Sequence, residues 1–422
     1  MRIMNPMQSQ PTRAACSRSA ATLLLVLTLS TTGAIGQSVD ILGVPIVGQA
    51  GQITGMVNGF DPATHEVAAC IYQDGRGWFS EPSAITRVTQ IEPDGTFSVE
   101  VGVNGDAEFA SGFAVSVIPK GTFAPSKSFS PTLIFPDDSL AEDVLQRYDT
   151  NLQFAGRNWG VKQSGGATGP GQNRFSARSD DIFVDPNGAL HLTINNHDGG
   201  WFATEAVLTE SLGYGTYVFK TNSEVDKLDV NAVFGAFTWD IRGDDTVEIP
   251  GWPYREIDFE DARWGDPNDP FTSQTVVQPP ATGRLERYTL PDLSGDAHLT
   301  RFFTWAPGRV EWVTLLGDHD PTNFPESAVI NRRVLVDEGD FLTAVPVPGH
   351  ETFRLNLWLF GGAPTDGQPI EVVITDFDFS PIPEPKSWIM AALGLTSLAS
   401  IRLTRQNLMK KTLGGRSRSY AW

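Results

Sequence analysis

Three carboxylates spaced two residues apart stand out in the segment Glu256-Ile257-Asp258-Phe259-Glu260. Two prolines shortly before it, and the branched and aromatic residues within it, disfavour a helix and favour a strand. Alternate side chains of a strand project to the same face, so Glu256, Asp258 and Glu260 are expected together on one face. The two apolar residues between them should then enter the core, which leaves a row of three acids along one wall.

Such a row of acids can cleave a glycosidic bond. Glu256 and Glu260 should lie about 13 Å apart at Cα, from the rise of ~3.3 Å per strand residue. Their side chains can lean toward each other to the ~5–5.5 Å carboxyl separation of retaining glycosidases. Three crowded acids do not all ionise easily, so at least one should keep a proton near neutral pH, as a general acid must. Asp258 could hydrogen-bond either neighbour.

The same alternation also describes the solvent-facing side of an amphipathic strand, and this chain is rich in acids. The spacing alone therefore does not separate a catalytic strand from a solvated one. The surrounding elements have to decide between the two interpretations.

Short apolar runs separated by Gly, Pro, Asp and Asn fill residues 140–381, with almost no helical period. This pattern predicts a large antiparallel β-sandwich rather than alternating strands and helices. The predicted strands are Ala189–Ile194, Tyr214–Lys220, Ala232–Trp239, Glu256–Glu260, Leu299–Trp305, Val310–Leu315, Phe353–Phe360 and Ile370–Phe379.

A second, smaller group of strand-like runs occupies residues 37–136, before a linker rich in Ser, Pro and Asp. Its alternating segments and turns predict an all-β accessory sandwich of about 100 residues. Trp78 lies in an aromatic turn of this module. It could bind sugar, or the module could be an inert spacer.

Both ends of the chain resemble sorting signals. Residues 1–36 carry three arginines, then an apolar run and small residues, which is the order of a secretory signal peptide. Residues 382–422 contain Pro383-Glu384-Pro385, a short apolar stretch and a basic ending. The apolar stretch is too short for a permanent membrane span, so only a transient stay in the bilayer is expected.

The charge balance restricts the partners. The whole chain has 31 basic and 50 acidic residues, a net charge of −19. Residues 37–385 keep 21 basic residues and all 50 acidic ones, a net charge of −29. Nucleic acid is therefore not an expected partner, and a sulfated or uronic polysaccharide is disfavoured. Only one cysteine, Cys70, remains after export, so no intrachain disulfide can form.

Other chemistries lack their motifs. A glycine-rich run at residues 165–171 has no Lys-Ser/Thr of a phosphate loop, and no Gly-x-Ser-x-Gly elbow occurs. The six histidines show no metal-ligand spacing. We therefore expect no cofactor and no catalytic metal.

The carboxylate segment resembles the catalytic Glu-x-Asp-x-Glu strand of glycoside hydrolase family 16, and further blocks occur in the order of that family. The C-terminal tail resembles the PEP-CTERM sorting signal. The blocks similar to the family are Trp159-Gly160, residues 171–173, residues 187–192, residues 213–217, residues 235–239, His298 with Phe303 and Trp305, residues 355–358 and Asp376-Phe377.

The resemblance implies a concanavalin-like jelly roll with a cleft on the concave face of one sheet. It implies Glu256 as nucleophile, Glu260 as acid/base and Asp258 as the assisting residue. It also allows a structural calcium, which the sequence does not place. For the tail it implies removal by exosortase-type sorting machinery and delivery to the bacterial surface or an extracellular matrix.

Sugar rings bind to flat apolar faces, and four tryptophans lie beside or near the matched blocks. These candidate substrate-binding residues are Trp159, Trp239, Trp252 and Trp305. Each could instead pack in the core.

The leading hypothesis is a secreted, retaining endo-β-glycanase that hydrolyses a β-linked polysaccharide through a covalent glycosyl-enzyme intermediate. Transglycosylation shares this nucleophile and differs in the acceptor. The alternative from another class is a non-catalytic glycan-binding or exopolysaccharide-matrix protein on the same fold. The sequence does not identify the glycan or its linkage.

Overall fold

Alternating apolar residues form strands through most of the chain. A computed structural model describes residues 36–46, 49–73, 77–82, 88–101, 110–122, 133, 138–164, 166–243, 254–295 and 297–382. Within these ranges it contains 24 strands, two 3₁₀ turns (Val225–Lys227 and Glu326–Ala328) and no α-helix. No helix of the described residues is long and apolar enough to cross a membrane. Residues 1–35 of the expected signal, and the expected tail from 383 onward, lie outside these ranges.

The N-terminal strands form two small sheets that enclose a core of their own. One sheet has the order β1-β2-β6, and the other has the order β4-β3-β7-β8 with β5 also on β3. Ile53, Ile71, Phe97 and Val115 are among the side chains buried between them. The strands are β1 (Ser38–Gly43), β2 (Gly51–Asn58), β3 (His65–Gln73), β4 (Gly77–Glu81), β5 (Val88–Gln90), β6 (Thr96–Val101), β7 (Ala110–Pro119) and β8 (Ala141–Gln146).

The position of β8 differs from the sequence prediction. Residues 140–146 were expected in the larger sandwich, but β8 pairs antiparallel with β7, from Val117↔Ala141 to Gly112↔Gln146. Strand β8 therefore belongs to the N-terminal module. The module ends after Gln146.

Twelve of the remaining described strands form one long antiparallel path that folds into two layers, and four short strands pair beside this path. The carboxylate layer has the order β19-β18-β17-β16-β23-β14, and β13 leads from it into the second layer, β24-β15-β20-β21-β22. The strands are β9 (Thr150–Phe154), β10 (Arg157–Val161), β11 (Arg174–Phe175), β12 (Ile182–Val184), β13 (Leu190–His197), β14 (Gly200–Leu208), β15 (Gly215–Asn222), β16 (Ala232–Trp239), β17 (Ile257–Ala262), β18 (Ser273–Val277), β19 (Leu285–Tyr288), β20 (His298–Ala306), β21 (Arg309–Leu316), β22 (Val329–Val336), β23 (Thr352–Leu359) and β24 (Ile370–Pro381).

The main core lies between these two layers and follows the strand alternation. Phe259 and Leu355 of the carboxylate layer pack there with Phe219, Phe303 and other residues of the second layer. All eight strands predicted for this region occur within a few residues of their predicted bounds. The architecture confirms the predicted concanavalin-like β-jelly-roll sandwich.

Candidate active site

The acids of β17 project away from the core, as the alternation predicts. Ile257 and Phe259 are buried in the main core. Asp258 and Glu260 point to the opposite side, where Asp258 is buried and Glu260 is partly exposed. Glu256 lies immediately before the strand and is also partly exposed. We call the side of this layer that carries Asp258 and Glu260 the carboxylate face.

Two glutamines of the neighbouring segment hold these acids. Gln274 lies directly across from Glu260, and its Nε2 donates to Glu260 Oε2 at 2.6 Å. Gln278 Nε2 donates to Asp258 Oδ2 at 2.9 Å. The other oxygen of Asp258 is buried and has no hydrogen-bond partner among the described residues. Gln274 also accepts a hydrogen bond from the indole N–H of Trp264 at 3.1 Å, so one amide connects an aromatic ring to Glu260.

Burial makes these acids weak. It raises the pKa of Asp258 well above its usual range, and the charges of Glu256 and Glu260 add to the rise. Burial also raises the pKa of Glu260 to about 7, against the hydrogen bond from Gln274 and with a contribution from the neighbouring Asp261 carboxylate. Each change follows from the cost of removing a carboxylate from water or placing it beside another one. Near pH 7 this face can therefore hold a proton for donation.

The backbone around Glu256 is fixed from the adjacent strand. Thr238 Oγ1 donates to the carbonyl oxygen of Arg255 at 2.7 Å and accepts from the N–H of Ile257 at 3.0 Å. One hydroxyl thus bridges the residues on both sides of Glu256. Arg255 itself has φ of 55°, in the left-handed region, and its guanidinium binds Asp240 Oδ2 at 2.6 Å.

A buried ionic cluster shares the carboxylate face. Glu205 accepts from Arg354 Nη1 at 2.8 Å and from Lys162 Nζ at 3.3 Å, and these cations lower its pKa against the effect of burial. Asn356 is the cross-strand partner of Gly235, which is in turn the partner of Glu260. A Cβ on Gly235 would lie 2.5 Å from Asn356 Oδ1. Glycine at this position therefore leaves room for the Asn356 side chain beside the acids.

Two of the four predicted sugar-binding tryptophans are core residues, which corrects that expectation. Trp159 and Trp305 are fully buried in the main core. Their indole N–H groups donate to the carbonyl oxygens of Phe154 (3.1 Å) and Pro346 (2.9 Å). Strand alternation places each of them on the inner face, where a polymer has no access.

Of the other two predicted tryptophans, one lies near the acids and one is not described by the structure. Trp239 is partly exposed at the Glu256 end of β16 and stacks on Tyr254, with ring centroids 4.1 Å apart. It lies on the carboxylate face by alternation from Phe237, the cross-strand partner of Asp258. Trp252 lies outside the described residues.

Sequence analysis missed an aromatic group at the opposite end of the acid row. Trp264 and Phe360 meet edge to face with centroids 5.3 Å apart, and Trp358 lies 6.0 Å from Trp264. Phe360 is 40% exposed. The signal was present in β23, where Arg354, Asn356 and Trp358 alternate with buried leucines. We call Trp264, Trp358 and Phe360 the aromatic end group.

One group of potential metal ligands occurs among the described residues, formed by Asp180, Asp181 and His197. Asp181 is buried and accepts hydrogen bonds from Ser176, Asn195 and His197. Burial acts to raise its pKa, but these donors lower it overall. Calcium prefers six to eight oxygen ligands. The group has an imidazole and a carboxylate already saturated by donors, so it does not fit a calcium site, and the calcium stays an unplaced prediction.

Comparison with known proteins gave structural likenesses only. No protein-family model matches the chain, and no curated protein matches it. A β-1,3-glucanase from Mycobacterium marinum is 17% identical with a TM-score of 0.40, over 56% of this chain and 99% of that one. A glycoside hydrolase family 16 endo-glucanase from Bacteroides ovatus, solved in complex with G4G3G-2F-DNP, is 11% identical with a TM-score of 0.37, over 53% and 94%. An immunostimulatory antigen and pseudo-β-1,3-glucanase of Mycobacterium tuberculosis is 17% identical with a TM-score of 0.38, over 53% and 91%.

Proposed function

We propose that this chain is an exported, retaining endo-β-glycanase of glycoside hydrolase family 16. The observation that carries the proposal is the pair Asp258 and Glu260, which project together from one strand with raised pKa values. A solvated strand face would leave its carboxylates exposed and ionised at neutral pH. Acids whose protons are retained by burial are instead typical of general acid catalysis.

The roles are those implied by the resemblance to glycoside hydrolase family 16, and the raised pKa of Glu260 supports its role as the acid. Glu260 donates its proton to the glycosidic oxygen as that bond to the anomeric carbon breaks, and the Glu256 carboxylate forms the glycosyl ester. Glu260, now ionised, takes a proton from water, and the water oxygen attacks the anomeric carbon and releases Glu256. Two displacements restore the original configuration. Asp258 lies between them, is held by Gln278, and shares the row with both through its charge interactions with Glu256 and Glu260.

Aromatic groups lie at both ends of the acid row on the carboxylate face. Trp239 lies at the Glu256 end, and the aromatic end group lies beyond Glu260. Sugars on both sides of the cleaved bond could therefore rest on flat apolar faces. Such an arrangement supports cleavage within a chain rather than at its end.

The test is release of reducing ends from a panel of neutral and sulfated β-glycans by residues 37–385. We expect release from one neutral polymer, and loss of at least about a thousandfold in Glu256→Gln and Glu260→Gln. Glu311→Gln, on β21 of the opposite layer, is the matched control and should retain activity. The anomer formed first, followed by NMR, reports retention directly.

Two outcomes would replace this proposal. Binding of a glycan without release of reducing ends would favour the glycan-binding or matrix protein. Lengthened oligosaccharides in place of free reducing ends would favour transglycosylation.

Export and sorting are part of the proposal and rest on the sequence of the two ends. The N-terminal segment would be removed on secretion, and the tail would be processed near Pro383-Glu384-Pro385. Intact-mass measurement of the protein from the surface of its own cells tests both cleavages. A full-length mass would contradict them.

A further inference from the structure

The N-terminal module contacts the larger sandwich through a buried tryptophan. Trp78 of β4 is 1% exposed, and its indole N–H donates to the carbonyl oxygen of Ile241 at 2.7 Å. Ile241 packs with Tyr72, Trp78 and Ala114 in one apolar cluster. A Cβ on Gly112 would lie 2.9 Å from Ile241 Cδ1, so glycine is needed there to admit the isoleucine. Trp78 is therefore a docking residue and presents no face to a sugar.

Ile241 directly follows Asp240, which is bonded to the segment that leads into the acid row. Asp240 is fully buried. Its Oδ2 accepts from Arg255 Nη1 at 2.6 Å and from the N–H of His350 at 3.1 Å. Its backbone N–H donates to the carbonyl oxygen of Tyr254 at 2.8 Å. A continuous set of contacts thus runs from Trp78 through Ile241 and Asp240 to Arg255, the residue before Glu256.

Arg255 needs this support because of its backbone conformation. A side-chain-bearing residue in the left-handed region costs about 1–3 kcal/mol and persists only where its surroundings fix it. Arg255 has φ of 55°. Besides the bond to Asp240, its Nε donates to the carbonyl oxygen of Val347 at 2.8 Å. Loosening of Asp240 would therefore allow Arg255 to relax and Glu256 to shift.

We propose that the N-terminal module is a structural part of the active site and that Trp78 is a positioning residue for Glu256. The assignment of Glu256 rests on the proposed function, whereas the coupling between Trp78 and residues 254–260 does not. The module acts by holding Ile241, and with it Asp240, in place. It does not need to bind substrate to affect the reaction.

The experiment compares two aromatic residues of the same module in the chain of residues 37–385. Trp78→Leu removes the docking contact, and Phe113→Leu is the matched control. Phe113 is also 1% exposed but packs in the core of the module itself. Trp78→Phe keeps a six-membered ring but loses the donor and the rest of the indole, and it serves if the leucine variant does not fold. Near-ultraviolet circular dichroism establishes folding of each variant.

Hydrogen–deuterium exchange of peptides covering residues 254–262 is the first readout, because it does not require activity. We expect at least tenfold faster exchange in Trp78→Leu than in Phe113→Leu, with Trp78→Phe between them. Equal exchange in both leucine variants would overturn the proposal, whether or not the wild type cleaves a glycan.

Kinetics on the polymer identified by the panel is the second readout. A misplacement of about 1 Å in a reacting group can cost about a hundredfold in rate. We expect kcat to fall about 10- to 100-fold in Trp78→Leu, with KM within about twofold of the wild type, and Trp78→Phe to recover part of kcat. A rise in KM alone would show that Trp78 acts on substrate binding. That result would also overturn the proposal that Trp78 positions Glu256. Inactivity of the wild type would reject the proposed function and leave the exchange result to decide the coupling.

Discussion

Burial raises the pKa of Glu260 to about 7, and the hydrogen bond from the Gln274 amide is the largest effect that opposes this rise. Gln274 donates a hydrogen bond to the Glu260 carboxylate and lowers the pKa of Glu260. Loss of this donor should therefore raise that pKa further. A hydrogen bond to a charged group contributes about 1.5–3 kcal/mol, and one pKa unit corresponds to about 1.4 kcal/mol. In Gln274→Leu we expect the basic limb of kcat/KM, near pH 7 in the wild type, to move up by about one pH unit.

The pH dependence of kcat/KM across pH 5–9 checks this shift. Gln153→Leu, at an exposed position of β9, is the control and should leave the pH of this basic limb unchanged. An unmoved limb in Gln274→Leu would mean that the limb belongs to another group.

The raised pKa of Glu260 also has a cost in stability. The folded state holds this proton up to about pH 7, while the unfolded chain releases it near its ordinary value of 4.5. Its contribution to the free energy of unfolding therefore falls as pH rises from about 4.5 to about 7 and stays lower above that. Glu260→Gln should be more stable than the wild type by about 1–3 kcal/mol at pH 8, and nearly equal to it at pH 4.

Urea unfolding of both proteins at these two pH values measures the difference. A variant that is less stable than the wild type at pH 8 would contradict the burial of an ionised Glu260. Another acid of the row would then have to hold the proton for general acid catalysis.

Alternation along β17 was enough to predict which of its residues form the acid row. It could not predict which face of another strand is the inner one, and for this reason Trp159 and Trp305 were placed in the cleft although they lie in the core. For the aromatic end group the information was present in β23, where Leu355, Leu357 and Leu359 alternate with Asn356 and Trp358. The hydrogen bonds of Gln274 and Thr238 arise from pairing between strands, which a single sequence does not reveal.

Strand β17 is joined to the second layer by an ion pair through the core. Asp261 Oδ2 accepts from Arg301 Nη1 of β20 at 2.7 Å, and both side chains are fully buried. Burial raises the pKa of Asp261, and Arg301 opposes that rise. Removal of one partner of such a pair leaves an uncompensated buried group. Arg301→Met should therefore reduce the free energy of unfolding by about 3–5 kcal/mol.

The double variant Asp261→Leu with Arg301→Met distinguishes the attraction between the two charges from the cost of burying them. It removes both charges, and we expect it to recover most of the loss in chemical denaturation. Arg332→Met, which breaks an exposed pair with Glu326, is the control and should change stability by less than about 1 kcal/mol. No recovery in the double variant would mean that Arg301 acts through packing on Phe219 instead.

At the scale of the whole molecule, the sequence predicted two groups of strands but placed their boundary too early. The segment around residue 140 is polar and looks like the start of a new unit, yet the hydrogen bonds of β8 join it to β7. The docking of Trp78 on Ile241 was equally out of reach, because the two residues are 163 positions apart. Contacts of this range depend on tertiary structure that no local pattern encodes.

The net charge of residues 37–385 should govern the choice between a neutral polymer and a charged one with the same backbone. With 21 basic and 50 acidic residues, residues 37–385 repel a polyanion over distances that salt screens. We expect kcat/KM for a neutral β-glycan to change less than about twofold between about 10 mM and 0.5 M NaCl, where the screening length falls from about 30 Å to below 8 Å. For a carboxymethylated form of the same glycan, kcat/KM should start lower and rise severalfold with salt. The derivative shares its backbone with the neutral polymer, so the comparison isolates charge from recognition of the sugar. Faster cleavage of the charged derivative at low salt would contradict this expectation. It would show that the local positive charge of Lys162 and Arg354 beside Glu205 attracts the polymer more strongly than the acidic surface repels it.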